Sequence, residues 1–399
     1  MRLRGSWYKG TEAGGFVELL AKRGYKAFFV GGCVRDDLLG EDIGDIDIST
    51  SAEPSRVLEL AEANGFRTAV PGIEYGTVVV VSESGRFEVT SFRRDVATDG
   101  RRASVAYHED LEEDARRRDF TLNAIYADHC GRVLDPIGGL ADLESRRIKF
   151  VGDPRTRIEE DYLRMLRFFR MAALFGDPGA ALDPGGLQAI KELAANVSAL
   201  PRERIGQEIL GLMAAPDPAA CARSMVETGI WDLLLPGTEP RVLRDLAEIE
   251  RHHGIRPRRG CRNAAIRRLA AVGSASVAER LRISRKLEQR WRILRSHINS
   301  RLGVAALANA LGVGMATDAA LVRSAVGGLA VEENFEFELE RGGRTEFPVR
   351  ARDLMPTLRG AELGRAMRGM RQAWLASDLK MSRNELLSLK LDGVGSKSS

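Results

Sequence analysis

The chain has 399 residues, enough for more than one compact unit, and its 44% hydrophobic content supplies real cores and excludes a disordered protein. The formal net charge is only +4, too weak a bias to point to nucleic acid until the placement of the cations is considered. Cys33, Cys130, Cys221 and Cys261 lie far apart, which excludes a zinc or disulfide framework, and no apolar run reaches signal-peptide or membrane-spanning length, so a soluble cytoplasmic protein is expected.

In chain order, Phe16, Leu19 and Leu20 fall at helical spacing, with Gly24 as a stop. The next stretch, residues 28–50, is F-F-V-G-G-C-V-R-D-D-L-L-G-E-D-I-G-D-I-D-I-S-T. Phe28, Phe29 and Val30 read as a buried strand. Gly31 and Gly32 let a ligand approach the backbone, and the short helix after them turns its first amides back toward that turn, an arrangement suited to phosphate. Arg35 adds a forked cation, and Gly40 closes the helix. Asp45 and Asp47 alternate with Ile46 and Ile48, so a strand here presents both carboxylates on one side. Two hard oxygen ligands beside a phosphate site suit Mg²⁺. With its order and spacing, the stretch resembles the nucleotidyltransferase motif of class II CCA-adding enzymes and bacterial poly(A) polymerases, members of the polymerase-β-like superfamily.

Residues 53–64 read as an amphipathic helix with Pro54 in its first turn. Residues 77–81 and 86–92 read as a hairpin around Glu83, Ser84 and Gly85. On the return strand Glu88 points away from Phe87 and Val89. Alone it reads as an ordinary exposed residue; the resemblance implies a third carboxylate beside Asp45 and Asp47. Residues 93–108 lack periodicity and read as a mobile loop centred on Asp99, Gly100, Arg101 and Arg102. In the family a flexible loop here helps the site pass from adding C to adding A, and its full length here argues against a relative that adds only C.

The nonapeptide R-R-R-D-F-T-L-N-A at 116–124 reads as a helix anchored by Phe120. The resemblance places Arg118 and Asp119 at the ribose, where a 2′-hydroxyl donates and accepts, with Asn123 fixing them. Asp135 and Gly139 match a family hinge, and their residue types report backbone shape rather than chemistry. Residues 158–175 read as one long helix with Leu163, Leu166, Phe169 and Ala173 as its core stripe. Asp161 and Arg164 then share a face that Arg167 and Arg170 extend. From spacing alone this is a surface ion pair. The family pattern E-D-x-x-R-x-x-R, intact from Glu160 to Arg167, implies instead a protein template for bases. Cytosine and adenine offer an exocyclic amine to a carboxylate and a bare ring nitrogen to a guanidinium; uracil and guanine present the reverse.

Arg204 and Glu208 sit in a further family signature, P-R-E-R-I-G-Q-E-I, and read as support for the nucleotide-binding helix. Beyond residue 217 the pattern is helical, and His252 and His253 read as surface or packing residues. A basic run from Arg251 to Arg295 includes Arg256, Arg258, Arg259, Arg262, Arg267, Arg268, Arg285 and Lys286, and reads as a footprint for an RNA backbone. A loop is expected near 342–348, then a helix whose Leu363, Met367, Met370 and Trp374 form core.

The expected architecture is a mixed α/β catalytic head with a small polymerase-β-like sheet at 1–140. It is followed by an all-α neck at 141–210, a basic body at 211–300 and a tRNA-binding tail at 301–399. The resemblance implies template-independent addition of C, C and A to a tRNA 3′ end from CTP and ATP. Asp45 and Asp47 would hold Mg²⁺, or Mn²⁺; Gly31, Gly32 and Arg35 would grip the phosphates. The implied partner is tRNA, at its acceptor end and elbow, with no membrane and no obligate protein partner. The alternatives are a bacterial poly(A) polymerase, an A-adding specialist and a non-catalytic RNA-binding relative. The run before Gly31 lacks extra basic residues, which favours CCA addition over the first.

Overall fold

The structure, a computed structural model, describes the chain apart from residues 73–75, 99–102, 258, 274–276, 329–330, 332, 356 and 390–399. It divides into two compact units, 1–200 with 224–233, and 201–223 with 234–399. The first is mixed α/β, and the described elements of the second are helical, as the sequence pattern leads one to expect.

The first unit runs α1 (Glu12–Lys22), β1 (Ala27–Val30), α2 (Gly32–Leu39), β2 (Ile46–Thr50), α3 (Pro54–Ala63), β3 (Arg67–Gly72), β4 (Thr77–Val81), β5 (Arg86–Ser91), β6 (Arg93–Thr98), β7 (Ala103–Tyr107) and α4 (Leu111–Arg116). It continues with β8 (Tyr126–Ala127), β9 (Val133–Leu134), α5 (Gly139–Glu144), α6 (Pro154–Glu160), α7 (Leu163–Phe175) and α8 (Pro184–Leu193). Seven strands form one sheet in the order β3-β4-β5-β2-β1-β8-β9. β2 and β5 pair in parallel, and the other neighbours are antiparallel. Thr11 starts α1 by accepting from the Gly14 amide, and Phe16, Val17 and Leu20 bury its inner face. Val78, Val80, Phe87 and Val89 are buried, whereas Glu88 is exposed, which is the period-two alternation of a half-covered sheet.

Three expected elements take a different form. Residues 93–107 are not a loop: β6 and β7 pair as a separate antiparallel ribbon, from Arg93 opposite Tyr107 to Thr98 opposite Ala103. A two-stranded ribbon satisfies its backbone by pairing, so it needs no apolar periodicity to form. The Asp99-Gly100-Arg101-Arg102 centre lies outside the described residues. The expected helix through 116–124 is instead the end of α4 followed by a 3₁₀ turn at Thr121–Asn123. The expected single helix over 158–175 is two helices. Asp161 has extended backbone (φ −154°, ψ 104°), and its Oδ1 accepts from the Leu163 amide at 3.1 Å. A short acidic side chain satisfies a helix N-terminus better than it fits a helix interior.

Asp135 accepts from the Gly139 and Leu140 amides at 2.7 and 3.0 Å and so starts α5. A Cβ on Gly139 would stand 2.1 Å from the Thr121 carbonyl oxygen, so this glycine permits the close approach of α5 to the 3₁₀ turn.

The second unit begins with α9 (Arg202–Met213), where a Cβ at Gly206 would stand 1.9 Å from the Leu281 carbonyl oxygen. Later helices include Val242–His252, Arg262–Val272, Val313–Gly327, Phe335–Arg344 and Gly360–Ala376. Helix Phe335–Arg344 passes through Gly342, so the loop expected there starts later. Met370 and Trp374 are buried in a core with Ala305, Val349 and Leu386. His253 pairs with Glu336 and packs on Phe335, in keeping with a packing role. Among the described residues no helix is long and apolar enough to cross a membrane.

Candidate active site

The turn between β1 and α2 is the geometric centre of the site. Gly31 has φ +71° and ψ −125°, a conformation that a side chain disfavours. A Cβ there would lie 3.7 Å from Arg118 Nη1, 3.7 Å from the Asn123 carbonyl oxygen and 4.0 Å from Asp47 Oδ2. Three positions from different parts of the sequence thus meet at one glycine.

Asp47 lies on β2 directly opposite Glu88 on β5, and Asp45 stands just before the strand. Burial pushes the Asp47 carboxyl up to about 6, Glu88 and Asp45 push the same way, and Arg118 and Arg35 oppose them. A carboxylate raised by its like-charged neighbours is a group that a cation would restore. Among the described residues no three His, Cys, Asp or Glu side chains form a ready-made metal cage. The acidic set is Asp47 on β2 with Glu88 opposite it on β5 and Asp45 just before the strand. Such a set fits Mg²⁺, which keeps positions for water and substrate phosphates rather than filling an all-protein cage.

Arg35 departs from the expected phosphate fork. It is buried, pairs with Asp36 at 2.7 Å, donates through Nη1 to Asn123 Oδ1 at 2.5 Å, and lies 4.0 Å over the Phe175 ring. Its guanidinium braces α2 against α7. Gly32 lies beside it, with its Cβ position 3.7 Å from Arg35 Nη2.

The 116–124 segment splits its polar groups between two networks. Arg118 donates from Nε to the Tyr126 hydroxyl at 3.0 Å and from Nη2 to Asp114 Oδ2 at 3.2 Å. Asp119 accepts from Asn123 Nδ2 at 3.0 Å and from Arg167 Nε at 2.7 Å. Burial works to raise the Asp119 carboxyl, but Arg167 and Asn123 outweigh it and hold the group at about 2. Arg167 is thereby tied to the head, while Arg170 lies half-buried one turn further along α7.

Asp161 and Arg164 adjoin at the start of α7, with the Arg164 amide donating to the Asp161 carbonyl at 3.0 Å. Arg164 does not pair with Asp161. Its Nη1 donates to Glu160 Oε2 at 2.5 Å and to the Arg157 carbonyl at 2.8 Å. Glu160 also takes Arg157, so one carboxylate holds two guanidinium groups. Sequence reasoning overlooked Asp114 and Phe175, and it reads Tyr126 only as an apolar anchor, missing its hydroxyl. For Asp114 a signal was present, since it precedes Arg118 by four residues on a helical segment.

In the second unit Arg256, Arg259, Arg262, Arg285 and Lys286 are exposed, and Arg258 lies outside the described residues. Arg267 and Arg268 correct the expected basic footprint. Both are buried: Arg267 pairs with Glu250 and Asp318, and Arg268 pairs with Glu250 and caps the Met213 and Ala215 carbonyls. Buried guanidinium groups persist because acids distant in sequence neutralise them.

The first unit thus combines a small mixed sheet carrying acids on a central strand pair with a glycine turn into a helix, and a helical region follows in sequence. Residues 27–149 match the family described as the poly A polymerase head domain, and residues 180–241 match the probable RNA and SrmB-binding site of polymerase A. The chain is 42% identical over 224 residues to a CCA-adding enzyme of Geobacillus sp. (strain WCH70), covering 56% of this chain and 54% of that protein. It is 36% identical over 240 residues to a CCA-adding enzyme of Levilactobacillus brevis, covering 60% and 59%. The chain thus spans a little over half the length of the curated relatives it matches. A crystal structure of the Bacillus stearothermophilus CCA-adding enzyme in complex with CTP superposes with a TM-score of 0.68 at 28% identity, covering 92% of this chain and 93% of that one. Residues 27–149 are thus similar to the poly A polymerase head domain, and the chain is similar to CCA-adding enzymes over a little more than half of its length.

Proposed function

We propose that the chain is a CCA tRNA nucleotidyltransferase that adds C, C and A to a tRNA 3′ end from CTP and ATP, without a nucleic-acid template, releasing pyrophosphate. The observation that carries this reading is the convergence of Asp47, Arg118 and Asn123 on the Gly31 turn, in the same unit as Asp161 and Arg164. Its relatives named above are CCA-adding enzymes, and one was solved with CTP.

Asp45 and Asp47, with Glu88 alongside, would hold Mg²⁺, or Mn²⁺ on the same oxygens, which lowers the pKa of the primer 3′-hydroxyl and neutralises the triphosphate. The chain's own groups bind and orient the nucleotide. The Gly31–Gly32 turn and the first amides of α2 receive the phosphates. Arg118 meets the sugar end of the nucleotide. Asp119 and Asn123 hold their place through Arg167 and Arg35. Asp161 accepts from the exocyclic amine of cytosine or adenine, and Arg164, fixed by Glu160, donates to the ring nitrogen. Uracil and guanine leave both groups unpaired, which costs on the order of several kcal/mol. Arg170 extends that face. Arg256, Arg258, Arg259, Arg262, Arg285 and Lys286 contact the tRNA backbone, a division of labour that places head and neck at the acceptor end and body and tail at the elbow. The reaction belongs to the cytoplasm.

The test is extension of three tRNA transcripts, ending before CCA, after C and after CC, with each NTP alone and in mixture, in Mg²⁺. Addition of C, C and A followed by a stop is expected. A long A tract without C would make the chain a poly(A) polymerase, and A only after CC would make it an A-adding specialist. No incorporation despite tRNA binding would leave a non-catalytic RNA-binding relative.

A further inference from the structure

The first unit contains a fully buried carboxylate to which the proposed chemistry assigns no task. Asp114 sits on α4 with 0% exposure. Its Oδ1 takes the fork of Arg117, with Nε at 2.8 Å and Nη2 at 2.5 Å. Its Oδ2 takes Ser49 Oγ at 2.9 Å, the Tyr126 hydroxyl at 2.8 Å and Arg118 Nη2 at 3.2 Å. Tyr126 passes the connection on, because its hydroxyl donates to Asp114 while accepting from Arg118 Nε at 3.0 Å.

Two of the three guanidinium nitrogens of Arg118 are thus fixed through one carboxylate. The third, Nη1, faces the Gly31 turn, 3.7 Å from the Cβ position there. Ser49 adds a second reference point, since it lies on β2 two residues after Asp47. The same carboxylate therefore registers a cation against the strand that carries the acid. Ionised and fully buried, Asp114 accepts five hydrogen bonds, an arrangement far more constrained than packing alone requires.

We propose that Asp114 is a positioning residue: it holds Arg118 so that Nη1 meets an oxygen of the incoming nucleotide at the Gly31 turn, in fixed register with Asp47. This rests on the nucleotidyltransferase reading given above. Asp114 touches no substrate and acts only through Arg118. Arg118 without it keeps its charge but loses its direction, and a flexible guanidinium forms weaker and less specific contacts than a fixed one.

The experiment is equilibrium binding of ATP and CTP to the full chain in Mg²⁺, with tRNA omitted so that no turnover occurs, read by titration calorimetry. Asp114→Asn is compared with Arg118→Gln and with the double variant. Thermal melting and tRNA binding report on the fold. Asp114→Asn is expected to weaken both nucleotides about tenfold to a hundredfold, the span of a lost charge-assisted hydrogen bond. The tRNA affinity should hold within about twofold, because the change leaves every cation assigned to the RNA backbone in place. In the Arg118→Gln background the same change should cost nothing further, because the two residues act as one. Losses that add across the two positions, or Asp114→Asn binding nucleotide like the wild type, would overturn the inference alone. A wild-type chain that binds neither nucleotide would remove the nucleotidyltransferase reading and this inference with it. If Asp114→Asn does not fold, Tyr126→Phe decides, since it keeps every charge and the ring. It should weaken nucleotide binding about threefold, the size of one neutral hydrogen bond, and only when Arg118 is present. No effect from Tyr126→Phe, or an equal effect in the Arg118→Gln background, would overturn the proposal.

Discussion

Replacing Asp119 by Asn keeps the shape of the side chain and removes its charge. The carboxylate is buried against Arg167, whose Nε and Nη2 lie 2.7 and 2.5 Å away. Burial opposes its ionisation, yet Arg167 and Asn123 bring the group from an ordinary value of 3.8 to about 2. At about 1.4 kcal/mol for each tenfold change in proton affinity, that difference contributes on the order of 2 to 3 kcal/mol to stability at neutral pH. The folded value lies below the unfolded one. The contribution is therefore fully present above the unfolded value, shrinks as pH falls, and is lost as pH passes through the folded value. Urea unfolding of wild type and Asp119→Asn, followed by circular dichroism, measures it. We expect the variant to be about 2 to 3 kcal/mol less stable at pH 7 and the gap to fall to roughly half at pH 3. Adding Arg167→Gln to Asp119→Asn should cost much less than Arg167→Gln alone, because the pair is coupled. A gap of the same size at both pH values, or one below about 0.5 kcal/mol at pH 7, would refute the reasoning.

Asp47→Ala should lower nucleotide incorporation by about a thousandfold or more while tRNA binding holds, as single-turnover extension and filter binding would report. Arg164→Ala should reduce the preference for CTP and ATP over UTP and GTP by about tenfold to a hundredfold, and unchanged selectivity in single-nucleotide extension would exclude Arg164 as a base reader. Gly139→Ala drives a Cβ to 2.1 Å from the Thr121 carbonyl oxygen. It should cost about 1 to 3 kcal/mol in urea unfolding. Arg262→Gln with Arg285→Gln should flatten the salt dependence of tRNA binding by about one to two in log–log slope, whereas an unchanged slope would remove both from the RNA surface.

The sequence was most legible where local geometry and chemistry coincide. The strand, glycine turn and helix at 27–39 need only neighbours in sequence, and so do the hairpin of β4 and β5 and the alternation that turns Glu88 away from the core. The break at Asp161 was less legible, because hydrophobic spacing continues across it while the cap depends on one side chain. Partners remote in sequence could not be read at all. Nothing local says that Arg267 meets Glu250 and Asp318, and a run of arginines reads the same whether its members face solvent or neutralise buried acids. The β6–β7 ribbon shows the opposite failure: its strands pair with each other as a separate ribbon, through backbone bonds that hydrophobic periodicity does not report.

The same distinction explains how the site divides its arginines. An arginine in a family motif is readily taken as a ligand, yet Arg35 and Arg167 have their guanidinium groups on Asn123 and Asp119. Asn123 also donates to Asp119, so a continuous line runs from Arg35 on α2 through Asn123 and Asp119 to Arg167 on α7. Phe175 closes it from the far end of α7 by lying under Arg35. The helix that follows the glycine turn and the helix that begins beside Asp161 are therefore fixed to each other at two points along α7. A protein that reads a base with side chains needs its reading groups held at a set distance from the phosphates, because selectivity depends on hydrogen bonds that fail when misaligned. Buried charge pairs are poor sources of net stability but good sources of unique geometry. Under the proposed function, two arginines held in that alignment suit a site whose specificity resides in protein instead of a nucleic-acid template.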